Sequence, residues 1–226
     1  MNLQEHYNNL YKESIKKIMD DTYEVDKLIN SPLDKRFGIT LLTRPSEAVK
    51  NNIQKFLNNV KTIEPNQYYY KNSDIHITVM SIISCYDGFQ LESINISRYI
   101  DLIAKSLIKN PEIEIELVGI TASPSCIMIQ GFMKNNILNS IRNNLRNNFK
   151  NSNLQQSIDK RYSIETAHTT VIRFQNKLND KLQFLKLIEA FRSYNFGFFK
   201  VKNLELVYND WYQREKLVKK LYEFNI

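Results

Sequence analysis

Two runs rich in β-branched residues, 75–83 (Ile-His-Ile-Thr-Val-Met-Ser-Ile-Ile) and 167–174 (Ala-His-Thr-Thr-Val-Ile-Arg-Phe), each carry the pattern His-x-Thr-Val, and each is followed by a segment of helical periodicity. A chain that presents the same motif on two strand-like segments is constrained toward two comparable halves. The surrounding pattern agrees: a strand over 37–42 and a helix over 47–60 precede the first motif, and a helix over 135–149 precedes the second. Between them, 112–118 and 126–133 alternate with period two around Ser123-Pro124-Ser125, the signature of an antiparallel hairpin. Further helices are expected over 96–109 and 179–193, and strands near 197–208 and 211–225. Hairpins rather than strict βαβ alternation favour an α+β fold of two related lobes over a doubly wound sheet.

The N-terminus reads differently. Leu10, Ile15, Ile18, Met19, Val25 and Leu28 recur at helical spacing, so a helical extension is expected from residue 3 to about 30, stopped at Ser31-Pro32. Residues 1–35 are read as this extension and 36–226 as one bilobal domain. With 226 residues, only 5 glycines and 5 prolines, the whole chain is expected to fold. No basic segment leads into an apolar run at the N-terminus and nowhere do eighteen apolar residues follow one another, so the expectation is an unexported, cytoplasmic protein with no membrane partner. Cys85 and Cys126 stand singly, which suggests buried thiols rather than a disulfide framework or a zinc site. The surplus of 31 Lys+Arg over 24 Asp+Glu favours, weakly, a phosphate-bearing partner.

The chemistry lies in the paired motifs. The chain has 3 histidines, two of which stand two places before one of its nine threonines. A threonine falls there by chance in about 4% of cases, and two such hits among three histidines in about 0.5% of shuffled sequences. Along a strand, residues i and i+2 share a face, so each motif presents an imidazole beside a hydroxyl. Phosphodiester cleavage needs the attacking oxygen to lose a proton and the leaving oxygen to gain one, and imidazole does either near neutral pH. The hydroxyls can donate to the non-bridging oxygens as charge rearranges. No third histidine or carboxylate stands at ligand spacing beside either motif, so neither metal nor cofactor is expected. His6, on the N-terminal helix, reads as a surface residue.

With these motifs the chain resembles the 2H phosphoesterase superfamily, which includes the bacterial RNA 2′,3′-cyclic phosphodiesterases formerly called 2′-5′ RNA ligases. The resemblance covers roughly residues 36–226 and includes the opening Arg36-Phe-Gly-Ile-Thr-Leu-Leu-Thr-Arg-Pro and the arginine after the second motif, Arg173. It implies a duplicated α+β fold, bilobal, with two antiparallel sheets lining a central groove and helices outside. It also implies that His76 and His168 are general base and acid, that Thr78 and Thr170 bind phosphate, and that Arg173 steadies the phosphate or the groove. Arg173 lies an odd number of places beyond His168, so on a regular strand it would face away and would reach the groove only past a bulge or the strand end. Tyr86 and Phe174, each downstream of a motif, are candidates for stacking on a base, while Tyr68-Tyr69-Tyr70 reads as strand surface. The expected function is a metal-independent phosphodiesterase acting on RNA ends or nucleotides, either a 2′,3′-cyclic phosphate or a 2′-5′ linkage. A hydrolase of a signalling nucleotide and a non-catalytic nucleotide- or RNA-binding module stay open as alternatives, as do oligomeric state and the role of residues 1–35.

Overall fold

In the computed structural model, which describes residues 2–226, two antiparallel sheets are flanked by five α-helices among the described residues. One sheet contains β1 (Arg36–Thr43), β3 (Ile77–Asp87), β8 (Asn203–Asp210) and β9 (Lys219–Asn225), in the order β3-β1-β8-β9. The other contains β2 (Tyr68–Tyr69), β4 (Glu114–Ser123), β5 (Cys126–Met133), β6 (Thr169–Arg173) and β7 (Asn195–Lys200), in the order β2-β6-β5-β4-β7. The helices are α1 (Leu3–Met19), α2 (Glu47–Ile63), α3 (Ile96–Ser106), α4 (Ile137–Lys150) and α5 (Lys181–Ala190). Ser123-Pro124-Ser125 makes the expected turn, with Ser123 and Cys126 paired across it.

The repeat is a strand, a helix and an antiparallel neighbour with the motif at its entrance. It occurs as β1-α2-β3 and again as β5-α4-β6. The lobes are nevertheless not contiguous halves of the chain: the first sheet takes β8 and β9 from the C-terminal end, and the second takes β2 from between α2 and β3. The helices cross as well. α2 packs on β6 and β7 of the other sheet, and α4 packs on β3 of the first. Each apolar stripe is thereby buried against the opposite lobe, and one continuous hydrophobic cluster runs through both.

Both motif strands carry a bulge at the same place. Thr78 lies opposite Leu42 and Met80 opposite Leu41, which leaves Val79 as the extra residue. In the second copy Thr170 faces Met128 and Ile172 faces Ile127, which leaves Val171 over. An unpaired residue reverses the alternation beyond it. Ser81 and Arg173, each five places after its histidine, therefore return to the face that carries the motif threonines. A second irregularity at Ile82 does the same for Ser84. Thr78, Ser81 and Ser84 are accordingly the half-exposed positions of β3, spaced three apart, while the intervening residues are buried.

The N-terminal helix is shorter than its apolar pattern suggests. α1 is capped by the Asn2 side chain and stops at Met19, and Asp21 adopts a left-handed backbone (φ 55) that ends helical bonding. Residues 20–35 form an irregular strap. Its N–H groups find partners at one end of the second sheet, Glu24 at the carbonyl of Pro124 in the β4–β5 turn (2.8 Å) and Asp26 at the Phe174 carbonyl just past β6 (2.7 Å). Leu28, part of the apparent stripe, is exposed, whereas its neighbour Ile29 is buried. Tertiary hydrogen bonds have displaced a weak local helical preference.

Candidate active site

The two bulged strands open onto one cavity of about 170 Å³. His76, Thr78 and Ser81 line it from the first copy, and His168, Thr170 and Arg173 from the second. The sequence-predicted histidines, threonines and arginine thus meet in one place. Arg173 arrives through the Val171 bulge, and its Nε donates to the Tyr70 hydroxyl (3.0 Å), which also lines the cavity. Each histidine stands at the residue immediately before its strand.

The rings are anchored through Nδ1. His76 Nδ1 is 2.7 Å from the Asp74 carbonyl oxygen. A carbonyl only accepts, so Nδ1 carries the proton and Nε2 is left with its lone pair. His168 Nδ1 lies 2.7 Å from the Thr166 hydroxyl, again two residues upstream. Burial pushes the pKa of each imidazole down to about 4. For His76 the positive charges of Arg44, His168 and Arg173 add to this against the opposing Asp74 hydrogen bond, and for His168 those of Arg142 and His6 do. Both rings are neutral at pH 7. An anionic phosphate between them would reverse the electrostatic term and favour imidazolium.

Arg142 ties the two copies together. It projects from α4 and is fully buried, with Nε donating to the Val79 carbonyl (3.0 Å) and Nη2 to the carbonyls of Thr78 (3.1 Å) and Thr166 (2.7 Å). One guanidinium therefore satisfies the bulge of the first motif and the approach to the second. Burial lowers its pKa to about 10, so it remains charged at neutral pH. Its helical positions gave a readable sign: Arg142 shares the stripe of Leu138, Ile141, Leu145 and Phe149.

The far end of the cavity is made by the segment after β8. Asp210 accepts from the N–H of Tyr212 and from both the N–H and Nε of Arg214, fixing a loop in which Gln213 has a left-handed backbone (φ 59). This loop brings Trp211 and Gln213 to the cavity, opposite Arg161 and Tyr162 from the long connection before β6. Arg36 and Arg161 lie 4.6 and 4.3 Å from the Trp211 ring centroid. The carboxamide oxygens of Asn209 and Gln213 are buried without a partner among the described residues. Sequence reasoning had no handle on these residues, because nothing local ties them to the motifs.

Other candidates fall elsewhere. Tyr86 does not line the cavity: it is 43% exposed, its ring packs beside Phe89, and its hydroxyl accepts from Gln155. The register shifts of β3 that turn Ser81 and Ser84 inward leave Tyr86 on the outer end of the strand, so proximity in sequence to the motif was misleading. Phe174 is fully buried against Tyr23 and Phe184. His6 is half-buried rather than freely exposed. Cys126 is buried, whereas Cys85 lines the cavity, with its thiol pushed up to about 12 chiefly by burial. Among the described residues no group of three His, Cys, Asp or Glu side chains is placed to hold a metal ion, and no helix is long and apolar enough to cross a membrane.

The architecture is that of the 2H phosphoesterase fold, in agreement with the resemblance carried by the two motifs. Among solved structures, the chain is similar to a phosphoesterase (13% identity, TM-score 0.56, 84% of this chain and 98% of that one) and to Escherichia coli LigT crystallised with 3′-AMP (11% identity, TM-score 0.56, 84% and 98%). A conserved protein of unknown function from Agrobacterium tumefaciens matches over more of the chain (12% identity, TM-score 0.53, 92% and 97%). No protein-family model and no curated protein sequence matches.

Proposed function

We propose that the chain is a phosphodiesterase that works by two-histidine general acid and base catalysis without a metal, on an RNA end or nucleotide carrying a 2′,3′-cyclic phosphate or a 2′-5′ linkage. The observation that carries this reading is the meeting of His76 and His168 in one cavity, each anchored through Nδ1 so that Nε2 is the nitrogen left for substrate. A neutral imidazole accepts the proton of the attacking water as its oxygen bonds to phosphorus. The other, protonated when the anionic phosphate binds, returns a proton to the departing ribose oxygen. Thr78, Thr170 and Arg173 line the same cavity and would donate to the non-bridging oxygens, and the fold is shared with a LigT crystallised with 3′-AMP.

The test is turnover of a panel of nucleoside 2′,3′-cyclic phosphates, a 2′-5′ dinucleotide and a 3′-5′ dinucleotide in the presence of EDTA, with the wild type, His76→Ala and His168→Ala. Cleavage that survives EDTA and falls at least a hundredfold in either variant is expected. Nucleotide binding without turnover would overturn it in favour of a binding module.

A further inference from the structure

The groove does not end at the histidines. Beyond Thr78 the hydroxyls of Ser81 and Ser84 continue along the inward face of β3, and with Arg161, Tyr162 and Ile164 they also line a second cavity of about 40 Å³ that adjoins the first. The connection that carries Arg161 is fastened on both sides of it. Ser157 bridges to β3, its N–H donating to the Ile82 carbonyl (2.8 Å) and its Oγ accepting from the Ser84 N–H (2.7 Å). Arg146 of α4 holds the rest, pairing with Asp159 (2.6 Å) and donating to Ser163 Oγ (2.9 Å) and to the Ile164 carbonyl (3.0 Å). The Arg161 guanidinium itself rests on the Trp211 ring, 4.3 Å from its centroid.

We propose that Arg161, with Ser81 and Ser84, forms a second anion subsite, for the phosphate on the 5′ side of the nucleotide whose 2′,3′ phosphate meets the histidines. The argument is a count of charges. Two guanidinium groups line the main cavity, those of Arg173 and Arg161, and no carboxylate among the described residues lines it. Arg36, the other arginine at Trp211, is neutralised by two bonds to Asp34 (2.8 Å each), whereas Arg161 has neither an ion pair nor a hydrogen bond with any described residue. One phosphodiester brings one negative charge, which Arg173 answers from the motif end. Arg161 is exposed yet fastened, and on the indole face it keeps the N–H edge of its planar fork free, the geometry that grips a phosphate through two parallel bonds. The Ser81 and Ser84 hydroxyls, also without a partner among the described residues, can donate to the same oxygens. With the 2′,3′ phosphate at the histidines, the next anion along a nucleotide chain lies across the ribose, at the 5′ oxygen. A terminal 5′-phosphate and the phosphodiester of a longer oligonucleotide both supply it. The placement of the first phosphate rests on the function proposed above; the unpaired charge of Arg161 does not.

The experiment compares steady-state cleavage by the full-length protein of three substrates: adenosine 2′,3′-cyclic phosphate, the same nucleotide with a 5′-phosphate, and a 3′-5′-linked diadenosine that ends in a 2′,3′-cyclic phosphate. The expected result is a kcat/KM about tenfold higher when the second phosphate is present, carried mainly by KM, and loss of that preference in Arg161→Gln. Arg161→Lys, which keeps the charge without the fork, retains part of the preference. A preference for the 5′-phosphorylated mononucleotide alone assigns the subsite to a terminal phosphate, and one for the dinucleotide alone assigns it to a phosphodiester. Equal kcat/KM for all three substrates in the wild type, or a preference undiminished in Arg161→Gln, overturns the proposal. If the wild type cleaves none of them, the proposed function fails and calorimetry decides on the subsite. Adenosine 3′,5′-bisphosphate is then expected to bind about tenfold more tightly than adenosine 3′-monophosphate, by a margin that Arg161→Gln removes, and equal affinities overturn the subsite as well.

Discussion

His76 and His168 occupy the same place in two copies of one strand-helix-strand unit, with a bulge three residues on, yet different chemistry holds them. In the first copy a main-chain carbonyl, that of Asp74, receives the Nδ1 proton. In the second the corresponding carbonyl, that of Thr166, is engaged by Arg142, and the Thr166 hydroxyl faces the ring instead. A carbonyl leaves no choice of tautomer, whereas a hydroxyl depends on its own next partner. Arg142 of α4 reaches both copies, but only in the second does it occupy the carbonyl that anchors the histidine in the first.

That contrast is open to attack by substitution. Arg142→Met, which leaves the carbonyls of Thr78, Val79 and Thr166 without their donor, is expected to cost about 3 kcal/mol or more in urea unfolding and to impair both copies together. An intact first copy in that variant would separate the two. Gly131→Ala should act on the second copy alone, through the Ala167 carbonyl, at about 2 kcal/mol, with the His76 resonances unmoved. Both imidazoles have folded pKa values near 4, below the unfolded value near 6.5, so the unfolded chain binds more protons between them. Stability is therefore fully present above about pH 6.5 and is lost as pH falls toward 4, by on the order of 1–2 kcal/mol per histidine at pH 5 once hydration of the half-buried rings is allowed for. Urea midpoints at pH 7 and 5 should show half that loss in either His→Ala variant, and an unequal split would show that the neighbours differ in strength. At the equivalent five-residue offset, Arg173→Gln should raise KM about tenfold and Ser81→Ala about twofold, by steady-state kinetics. The smallest effect is expected for Tyr86→Phe, whose hydroxyl serves only Gln155, with kcat/KM within about twofold of wild type.

Much of this was legible in the chain because periodicity is local. The strands at 37–42 and 126–133 and the helices at 47–60 and 135–149 lie within a few residues of β1, β5, α2 and α4, since periods of 2 and 3.6 are set by neighbouring residues. The placement of Arg173 was legible only conditionally: the parity rule required a bulge or the strand end, and a bulge at Val171 supplies it. Tyr70 was read as strand surface because three tyrosines in a row carry no sign of which one turns inward. It is buried against Arg173 because β2 is captured by β6, a pairing across about a hundred positions of chain.

The amino-acid sequence by itself determined the two His-x-Thr motifs, the elements that bear them and the α+β character, all consequences of side-chain type and short-range spacing. Tertiary structure alone decided that β8 and β9 complete the first sheet, that α2 and α4 cross between lobes, and that Arg142, Trp211 and Arg161 gather behind and around the motifs. These contacts join residues far apart in the chain. They form because burying apolar stripes and satisfying buried main-chain groups favours one global arrangement, and no local period encodes that choice.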